Sequence, residues 1–127
     1  MSQLLFVYGT LLRRSPHPMA RFLAERAVFV GEAKVAGQLY NLGRFPGLVH
    51  GEPGDWVFGD LYDLGDQANR TLADLDHYEN DESTPAALFE RQLADVSVAD
   101  GTMQSAWVWW FRGEVKPEQR IASGGYL

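Results

Sequence analysis

Residues 27–42, AVFVGEAKVAGQLYNL, limit the possible folds more than any other stretch of the chain. Apolar and β-branched residues recur along them as in a β-strand, but glycines stand at positions 31 and 37. Glycine inside a strand indicates a bulge or a bend, because it has no side chain to pack and tolerates unusual backbone angles. We therefore predict extended chain that curves at Gly31 and Gly37, as in a strongly curved sheet.

Further strands are predicted on both sides of this stretch. Leu4 to Tyr8 suits a buried strand, and VFGDLYDL forms another from Val57. LFERQLADVSV and MQSAWVWWF flank the turn Ala-Asp-Gly-Thr and therefore predict a β-hairpin. FPGLV, residues 45–49, is predicted to be a turn that leads into the loop HGEPGD.

Two helices are predicted between these strands. Ser15-Pro16 resembles an N-cap followed by proline at the first helical position, and a short helix then extends to about Arg26. Its apolar residues recur at helical spacing: Met19, Phe22 and Leu23. Asp66 is a plausible N-cap for a second helix that ends near Glu79. The acidic, proline-containing residues 80–87 are predicted to form a surface loop.

This order of elements predicts one domain over residues 1–127. About five or six strands joined largely by hairpin-like links, with two short helices, indicate an α+β protein built around a small, barrel-like, mostly antiparallel mixed sheet. A doubly wound parallel sheet is disfavoured, because strands and helices do not alternate regularly and no G-x-G-x-x-G motif opens a helix.

Composition and charge exclude several classes of function. The formal net charge of -6 disfavours nucleic acids and anionic membranes as partners, because both need a basic surface. The chain contains no cysteine, which excludes disulfides, thiolate catalysis and zinc–sulfur sites. No segment has the length of a membrane span, and we expect a cytoplasmic protein. The sequence indicates no oligomeric state.

The aromatic stretch Trp107-Val108-Trp109-Trp110-Phe111 has two interpretations. Such side chains could stack on the bases of a nucleic acid. The chain is acidic, however, and no Arg or Lys interrupts the stretch. We therefore expect a core strand with one indole lining a cavity.

Glu79 is the most informative candidate for catalysis. At 100° per residue, Ala68, Leu72 and Leu75 share one stripe of the second helix, and Glu79 projects near its centre. A carboxyl group therefore occupies a position where a leucine is expected. If it is buried there, desolvation raises its pKa toward neutrality. Alternatively, the helix ends earlier and Glu79 is solvated or pairs with Arg91.

Other catalytic groups have weaker support. His17, His50 and His77 lie in different predicted elements, and no G-x-S-x-G motif is present. Asp74 and His77 lie one helical turn apart, but two ligands without a third do not predict a metal site, so a solvated helix face is the better interpretation. We predict neither a metal nor a cofactor.

Tyr8-Gly9-Thr10-Leu11 follows the first strand and has two interpretations as well. Gly9 could simply mark a strand end with unusual backbone angles. It could instead let backbone N–H groups approach a ligand closely, because no Cβ stands in the way.

Several motifs occur in an order that covers nearly the whole chain. They are Tyr8-Gly9-Thr10-Leu11, Gly37-Gln38-Leu39-Tyr40 with Phe45-Pro46-Gly47, Val57-Phe58-Gly59-Asp60-Leu61-Tyr62, Leu75-Asp76-His77-Tyr78-Glu79, Phe89-Glu90-Arg91 and Ser123-Gly124-Gly125. With this set the chain resembles the gamma-glutamylcyclotransferase-like family, in its small bacterial and plant-type branch rather than the longer glutathione-specific branch.

The resemblance implies a compact mixed barrel with a cavity at one end. It also implies that Tyr8, Gly9, Thr10 and Leu11 hold the γ-glutamyl part of a small substrate, and that Glu79 is the general acid/base. Tyr40 and Arg91 are further candidates for the pocket. This sequence departs from the family in two places: Asn80 stands where glycine is common, and Phe89 stands where tyrosine is frequent.

The implied reaction converts a γ-glutamyl amine or peptide to 5-oxoproline and the free amine, without a cofactor. An alternative is a member of the same fold that only binds a small amino-acid-like ligand. A third possibility is an amide or ester hydrolase in which Glu79 activates water.

Overall fold

The computed structural model describes residues 3–43, 46–52, 54–79 and 89–126, with the side chains of residues 76–79 left outside the description. Two helices and seven strands occur in these ranges. In chain order they are β1 (Leu4–Val7), α1 (Pro18–Arg26), β2 (Val28–Ala36), β3 (Gln38–Asn41), β4 (Pro46–Val49), β5 (Trp56–Asp63), α2 (Ala68–Glu79), β6 (Phe89–Val98) and β7 (Met103–Phe111).

Five of the strands close into a barrel in the order β1-β5-β2-β6-β7. The pairings β1–β5, β5–β2, β2–β6 and β6–β7 are antiparallel, and β1 closes the barrel through a parallel pairing with β7 in which Leu5 lies opposite Trp107. Strands β3 and β4 form a separate two-stranded sheet. The predicted fold class, a small and mostly antiparallel mixed barrel with short helices, is confirmed.

The two glycines of residues 27–42 act differently. The register between β2 and β5 shifts between Phe29 and Gly31, which confirms the predicted bulge. At Gly37 the chain leaves the barrel and begins β3. A Cβ on Gly37 would lie 2.8 Å from Cδ1 of Leu48 and 2.9 Å from the carbonyl oxygen of Val49. This bend therefore needs glycine because β4 passes so closely.

The predicted turn at residues 45–49 is wrong, because Pro46–Val49 is strand β4. It pairs with β3 so that Leu39 lies opposite Leu48, and both leucines are buried. The burial of these leucines in one hairpin outweighs the turn tendency of Pro-Gly. Proline is tolerated because Pro46 is the first residue of its strand.

Both predicted helix starts need correction. Helix α1 begins at Pro18 rather than Pro16, and its N-cap is His17, whose Nδ1 accepts a hydrogen bond from the Met19 N–H at 3.1 Å. Both prolines suit a first helical position, and the histidine cap selects the second. Asp66 is not the N-cap of α2, since it lies in a 3₁₀ helix, Gly65–Gln67, that precedes α2.

Two buried clusters lie on opposite sides of the barrel wall. Alternate residues of β1 and β7 divide between them, as the two-residue period of a strand requires. The inner cluster contains Phe6, Val35, Leu61, Val96, Val108 and Trp110. The outer cluster joins the wall to the helices and contains Leu5, Leu11, Leu23, Tyr62, Leu72, Leu75, Trp109 and Phe111. The expectation that residues 107–111 belong to the core is confirmed.

Membrane-spanning helices were sought among the described residues. None of the helices there combines the length and apolar character that a span requires.

Candidate active site

The turn after β1 is fixed by one hydrogen bond to β7 and by another within the turn itself. The Tyr8 hydroxyl is buried and donates to the carbonyl oxygen of Trp109 at 2.7 Å, which ties the start of the turn to β7. The N–H of Leu12 donates to the carbonyl oxygen of Gly9 at 3.0 Å and closes the turn. These two bonds give residues 8–12 a defined path.

The far end of the turn is attached to β5. The N–H of Arg13 donates to Oδ2 of Asp60 at 2.8 Å, and Asp60 is only 6% exposed. The Arg13 guanidinium lies over the ring of Phe29, 4.1 Å from its centroid, and 3.7 Å from Oε1 of Glu32. The buried carboxylate of Asp60 therefore anchors the backbone, while the Arg13 side chain lies along the outside of the barrel.

Gly9 is needed for close packing rather than for its backbone angles. It is absent from the glycines that have positive φ, so the expectation of unusual angles at this strand end is wrong. A Cβ on Gly9 would instead lie 2.5 Å from Cγ and 2.8 Å from Cδ of Pro46. The ring of Pro46, at the start of β4, occupies the space that any larger side chain would need.

A small pocket opens beside this turn. Residues 7–11, Pro46 and Trp109 line about 300 Å³ of space, which includes the part open to solvent. The enclosed cavity within this space is about 20 Å³, which is room for about one water molecule and far less than a complete small-molecule site. None of these lining residues is charged, so the pocket is neutral over its described part. The expectation that one indole of residues 107–111 lines a cavity is confirmed for Trp109.

Backbone N–H groups are the hydrogen-bond donors that this turn can offer. In the described part of the chain, the N–H groups of Gly9 and Leu11 donate to no acceptor, although both residues are buried and line the pocket. Buried backbone N–H groups are nearly always paired with an acceptor. Two such donors in one turn can bind a carboxylate or a developing oxyanion.

Helix α2 packs its apolar stripe into the outer cluster. Leu72 and Leu75 are buried as predicted, and they share the outer cluster with Leu11 and Trp109, two residues that line the pocket. Glu79 is the last residue of α2. Its side chain lies outside the described part of the structure, as do Asn80 and the loop predicted at residues 80–87. The contact of Glu79 with residues 8–11 therefore stays a prediction.

Comparison with known proteins identifies the family. A family model described as "Gamma-glutamyl cyclotransferase, AIG2-like" matches residues 5–127. The chain belongs to this family. Over 124 residues it is 32% identical to the gamma-glutamylcyclotransferase family protein ytfP of Citrobacter rodentium, and the match covers 97% of this chain and 94% of that protein.

Solved structures show the same fold. An AIG2-like protein of Mus musculus has a TM-score of 0.70 and 24% identity, and the match covers 98% of this chain and 87% of the mouse chain. YkqA of Bacillus subtilis also has a TM-score of 0.70, at 21% identity. Here the match covers 99% of this chain but only 40% of the YkqA chain.

Tyr40 and Arg91, the further candidates for the pocket, are not among its described lining residues. Tyr40 is buried in β3, and its hydroxyl donates to Oε1 of Gln38 at 3.0 Å. Arg91 lies in β6, with its guanidinium over the ring of Trp107 at 4.5 Å from the centroid. A role for either residue in binding stays a prediction.

The two histidines whose side chains are described have separate surroundings. His17 caps α1, and the ring of His50 stacks on Trp110 with 4.1 Å between centroids. The side chain of His77 lies outside the description, so its pairing with Asp74 stays untested. Among the side chains that are described, no group of three His, Asp or Glu residues has a geometry that could hold a metal ion.

Sequence reasoning missed two residues of the described pocket lining, Val7 and Pro46. The residues around Pro46 predict a turn, and nothing in the spacing of Phe45-Pro46-Gly47 indicates a contact with a residue near the N-terminus. The usable signal was the pair of glycines, Gly9 and Gly47, in two family motifs. A Cβ on Gly47 would lie 3.0 Å from Phe111, so both glycines mark places where backbone packs tightly.

Proposed function

We propose that this member of the family is a gamma-glutamylcyclotransferase, which converts the γ-glutamyl part of a small amide or peptide to 5-oxoproline and releases the amine. The proposal rests on the pocket at the end of β1. There, the N–H groups of Gly9 and Leu11, two buried residues, donate to no acceptor among the described residues, and the described lining of the small cavity carries no charge. Family membership supports the same reaction class.

The reaction takes place within one substrate molecule. The α-ammonium loses a proton, its nitrogen attacks the γ-carbonyl carbon, a C–N bond closes the five-membered ring, and the ring nitrogen loses a second proton. The resulting tetrahedral oxyanion then collapses, the bond to the leaving nitrogen breaks, and that nitrogen takes up a proton. A substrate held folded in this way reacts with an effective molarity on the order of 10⁵ M or more. No nucleophile from the enzyme is required.

The turn supplies electrostatic stabilisation in this proposal. Fixed N–H donors stabilise negative charge without reorganising when that charge develops. The N–H groups of Gly9 and Leu11 are fixed, because the turn is bonded to β7 at Tyr8 and to β5 at Arg13. They hold the oxyanion of the intermediate or the α-carboxylate of the substrate.

Glu79 is the proposed general acid/base. The helical period predicts it on the stripe of Leu72 and Leu75, and these leucines lie in the same cluster as the pocket residues Leu11 and Trp109. One carboxylate can accept a proton from the attacking nitrogen and later deliver it to the leaving nitrogen, while the other ammonium proton is released to solvent. This assignment leaves both proton transfers to a single side chain.

The first test compares two carboxylates of α2. Purified protein is incubated with a panel of γ-glutamyl amines and peptides, and 5-oxoproline is measured by mass spectrometry. We expect Glu79→Gln to lower the rate by about 10²- to 10⁴-fold, the usual contribution of a general acid/base. Asp74→Asn is the matched control, because Asp74 is exposed on the same helix. Full activity of Glu79→Gln would contradict the mechanism.

A non-catalytic binding protein is the second candidate. It is favoured by one observation: the described lining of the pocket contains no carboxylate, histidine or lysine. Calorimetry that shows tight binding of a γ-glutamyl compound, without product by mass spectrometry, would select this function. The third possibility, a hydrolase, would release free glutamate in the same assay.

A further inference from the structure

The contact between Gly9 and Pro46 joins two segments that are distant in sequence. The Pro46 ring lies where the Cβ of a larger residue 9 would be, and both atoms in the way, Cγ and Cδ, belong to the ring. Only the next atom, Cβ of Pro46, lies at an ordinary distance, 4.0 Å from the position of that missing Cβ. The conflict would therefore come entirely from the two ring atoms that alanine lacks.

Pro46 has little freedom to move away. It is buried and begins β4, where it pairs with Asn41 of β3. The next residue, Gly47, packs against the ring of Phe111, and Leu48 is completely buried in the inner cluster. The pyrrolidine ring is itself rigid, because its φ is locked. The ring of Pro46 is thus held in a fixed position against the backbone of residue 9.

We propose that Pro46 is a positioning residue that sets the location of the turn at residues 8–11 through its ring contact with Gly9. Gly9 is then glycine because of Pro46, and not because a ligand needs the space of a Cβ. The turn has three supports in this account: the Tyr8 hydroxyl bond to Trp109, the Asp60 carboxylate at Arg13, and the Pro46 ring at Gly9.

The position of this turn matters because it carries the proposed donors. A displacement of about 1 Å in a group that orients a substrate can lower a rate about 10²-fold. Alanine at position 9 must shift either the turn or β4, since real Cβ atoms do not come within 3.0 Å of such neighbours. This effect on catalysis rests on the proposed function, but the steric coupling between residues 9 and 46 does not.

A double-mutant cycle tests the proposal. Gly9→Ala, Pro46→Ala and the double variant Gly9→Ala/Pro46→Ala are compared with the unaltered protein in kcat and KM for 5-oxoproline release. We expect Gly9→Ala to lower kcat/KM about 10²-fold, mainly through kcat. Because Pro46→Ala removes Cγ and Cδ, the double variant should regain at least about tenfold of that loss, a coupling within the range of residues in contact.

Gly125→Ala is the matched control for the added methyl group. A Cβ on Gly125 meets nothing within 4 Å, and its φ is not in the left-handed region. We expect this variant to show no coupling with Pro46→Ala. Equal coupling at Gly125 and Gly9 would overturn the proposal, because the effect would then not arise from the contact.

A second measurement separates this proposal from the proposed function. The midpoint of urea unfolding and the backbone amide NMR shifts of residues 9–11 are recorded for the same variants. If the unaltered protein releases no 5-oxoproline, the proposed function fails, but recovery of stability and of native shifts in the double variant still supports the Pro46 contact. If Gly9→Ala does not fold, folding of the double variant supports it in the same way.

Two further results would overturn the positioning role. One is a Gly9→Ala variant with unchanged unfolding midpoint and amide shifts, which would mean that the chain accepts a Cβ beside Pro46. The other is a double variant as impaired as the product of the two single effects. In that case the space beside Gly9 is needed for something other than Pro46, such as a ligand.

Discussion

Two buried tyrosine hydroxyls show how differently the barrel uses the same group. The Tyr8 hydroxyl donates to the Trp109 carbonyl oxygen and thereby attaches the candidate site to β7. The Tyr62 hydroxyl is buried in the outer cluster without a hydrogen-bond partner among the described residues. Burial, and then the nearby negative charge of Asp60, raise the pKa of Tyr62, so the hydroxyl stays neutral. Tyr8 therefore links the turn to β7 through its hydroxyl, whereas Tyr62 mainly fills space in the outer cluster.

Phenylalanine substitutions should separate these two roles. Tyr8→Phe removes one buried hydrogen bond, and we expect it to lower the free energy of unfolding by about 1 kcal/mol. Tyr62→Phe removes a hydroxyl with no described partner, and we expect no loss or a small gain in stability. Urea unfolding of both variants checks this. A loss in Tyr62→Phe equal to that in Tyr8→Phe would reveal a partner for the Tyr62 hydroxyl.

The sequence predicted which residues form the candidate site better than it predicted why those residue types are needed there. Residues 8–11 do line a pocket, and Leu72 and Leu75 do face the core. The sequence alone explains glycine at position 9 by backbone angles or by a ligand, whereas in the structure the ring of Pro46 fills the space. A contact between residues 9 and 46 depends on how two hairpins meet, and no local pattern of residues encodes that.

Among the elements, the hairpin β3–β4 is not predicted by the sequence, because its residues locally favour a turn. Phe-Pro-Gly favours a turn, and only the pairing of Leu39 with Leu48 across the hairpin makes residues 46–49 a strand. Helix α1 shows the same competition, since Ser15-Pro16 and His17-Pro18 are both plausible starts. Helical spacing still located the helix, and its end at Arg26 agrees with the prediction. For α1, the spacing of apolar residues predicted the type of element, and the cap at His17 set its first residue. For β4, strand pairing decided the type of element as well.

The C-terminal segment is a further element held by tertiary contacts. The side chain of Arg120 donates to Oδ1 of Asp55 at 3.0 Å. The backbone adds two bonds: the N–H of Ile121 donates to the carbonyl oxygen of Leu39, and the N–H of Phe58 donates to the carbonyl oxygen of Gly124. Asp55 also accepts hydrogen bonds from the side chain of Gln38 and the N–H of Glu52. The bond from Gln38, followed by those from Glu52 and Arg120, lowers the pKa of Asp55.

This lowered pKa predicts a stability change in acid. The contribution of Asp55 is fully present above the ordinary aspartate pKa of about 3.9 and is lost as the pH falls through the lowered folded value. We expect the stability difference between the unaltered protein and Asp55→Asn to shrink from pH 6 toward pH 3, as measured by urea unfolding at each pH. A difference that stays constant or grows in acid would contradict the assignment.

At the scale of the whole molecule, closure of the barrel brings the parts of the candidate site together at one end. Parallel pairing of β1 with β7 brings the turn after β1 beside Trp109, and β4 packs on β7 so that Pro46 reaches Gly9. The outer cluster then continues from the turn to α2, the helix that ends at Glu79. Barrel closure thus brings together segments that are far apart in sequence. The sequence indicated such a barrel through its glycines and hairpins, but not which strands close it.

The most direct test of the proposed reaction follows one nitrogen atom. The purified protein is given a γ-glutamyl amide whose α-amine carries ¹⁵N, and the products are analysed by mass spectrometry. We expect the label in the ring of 5-oxoproline, with the amine released unlabelled, and we expect Glu79→Gln to suppress both products. Labelled free glutamate as the main product, or no turnover of any γ-glutamyl compound in the panel, would contradict the cyclotransferase assignment.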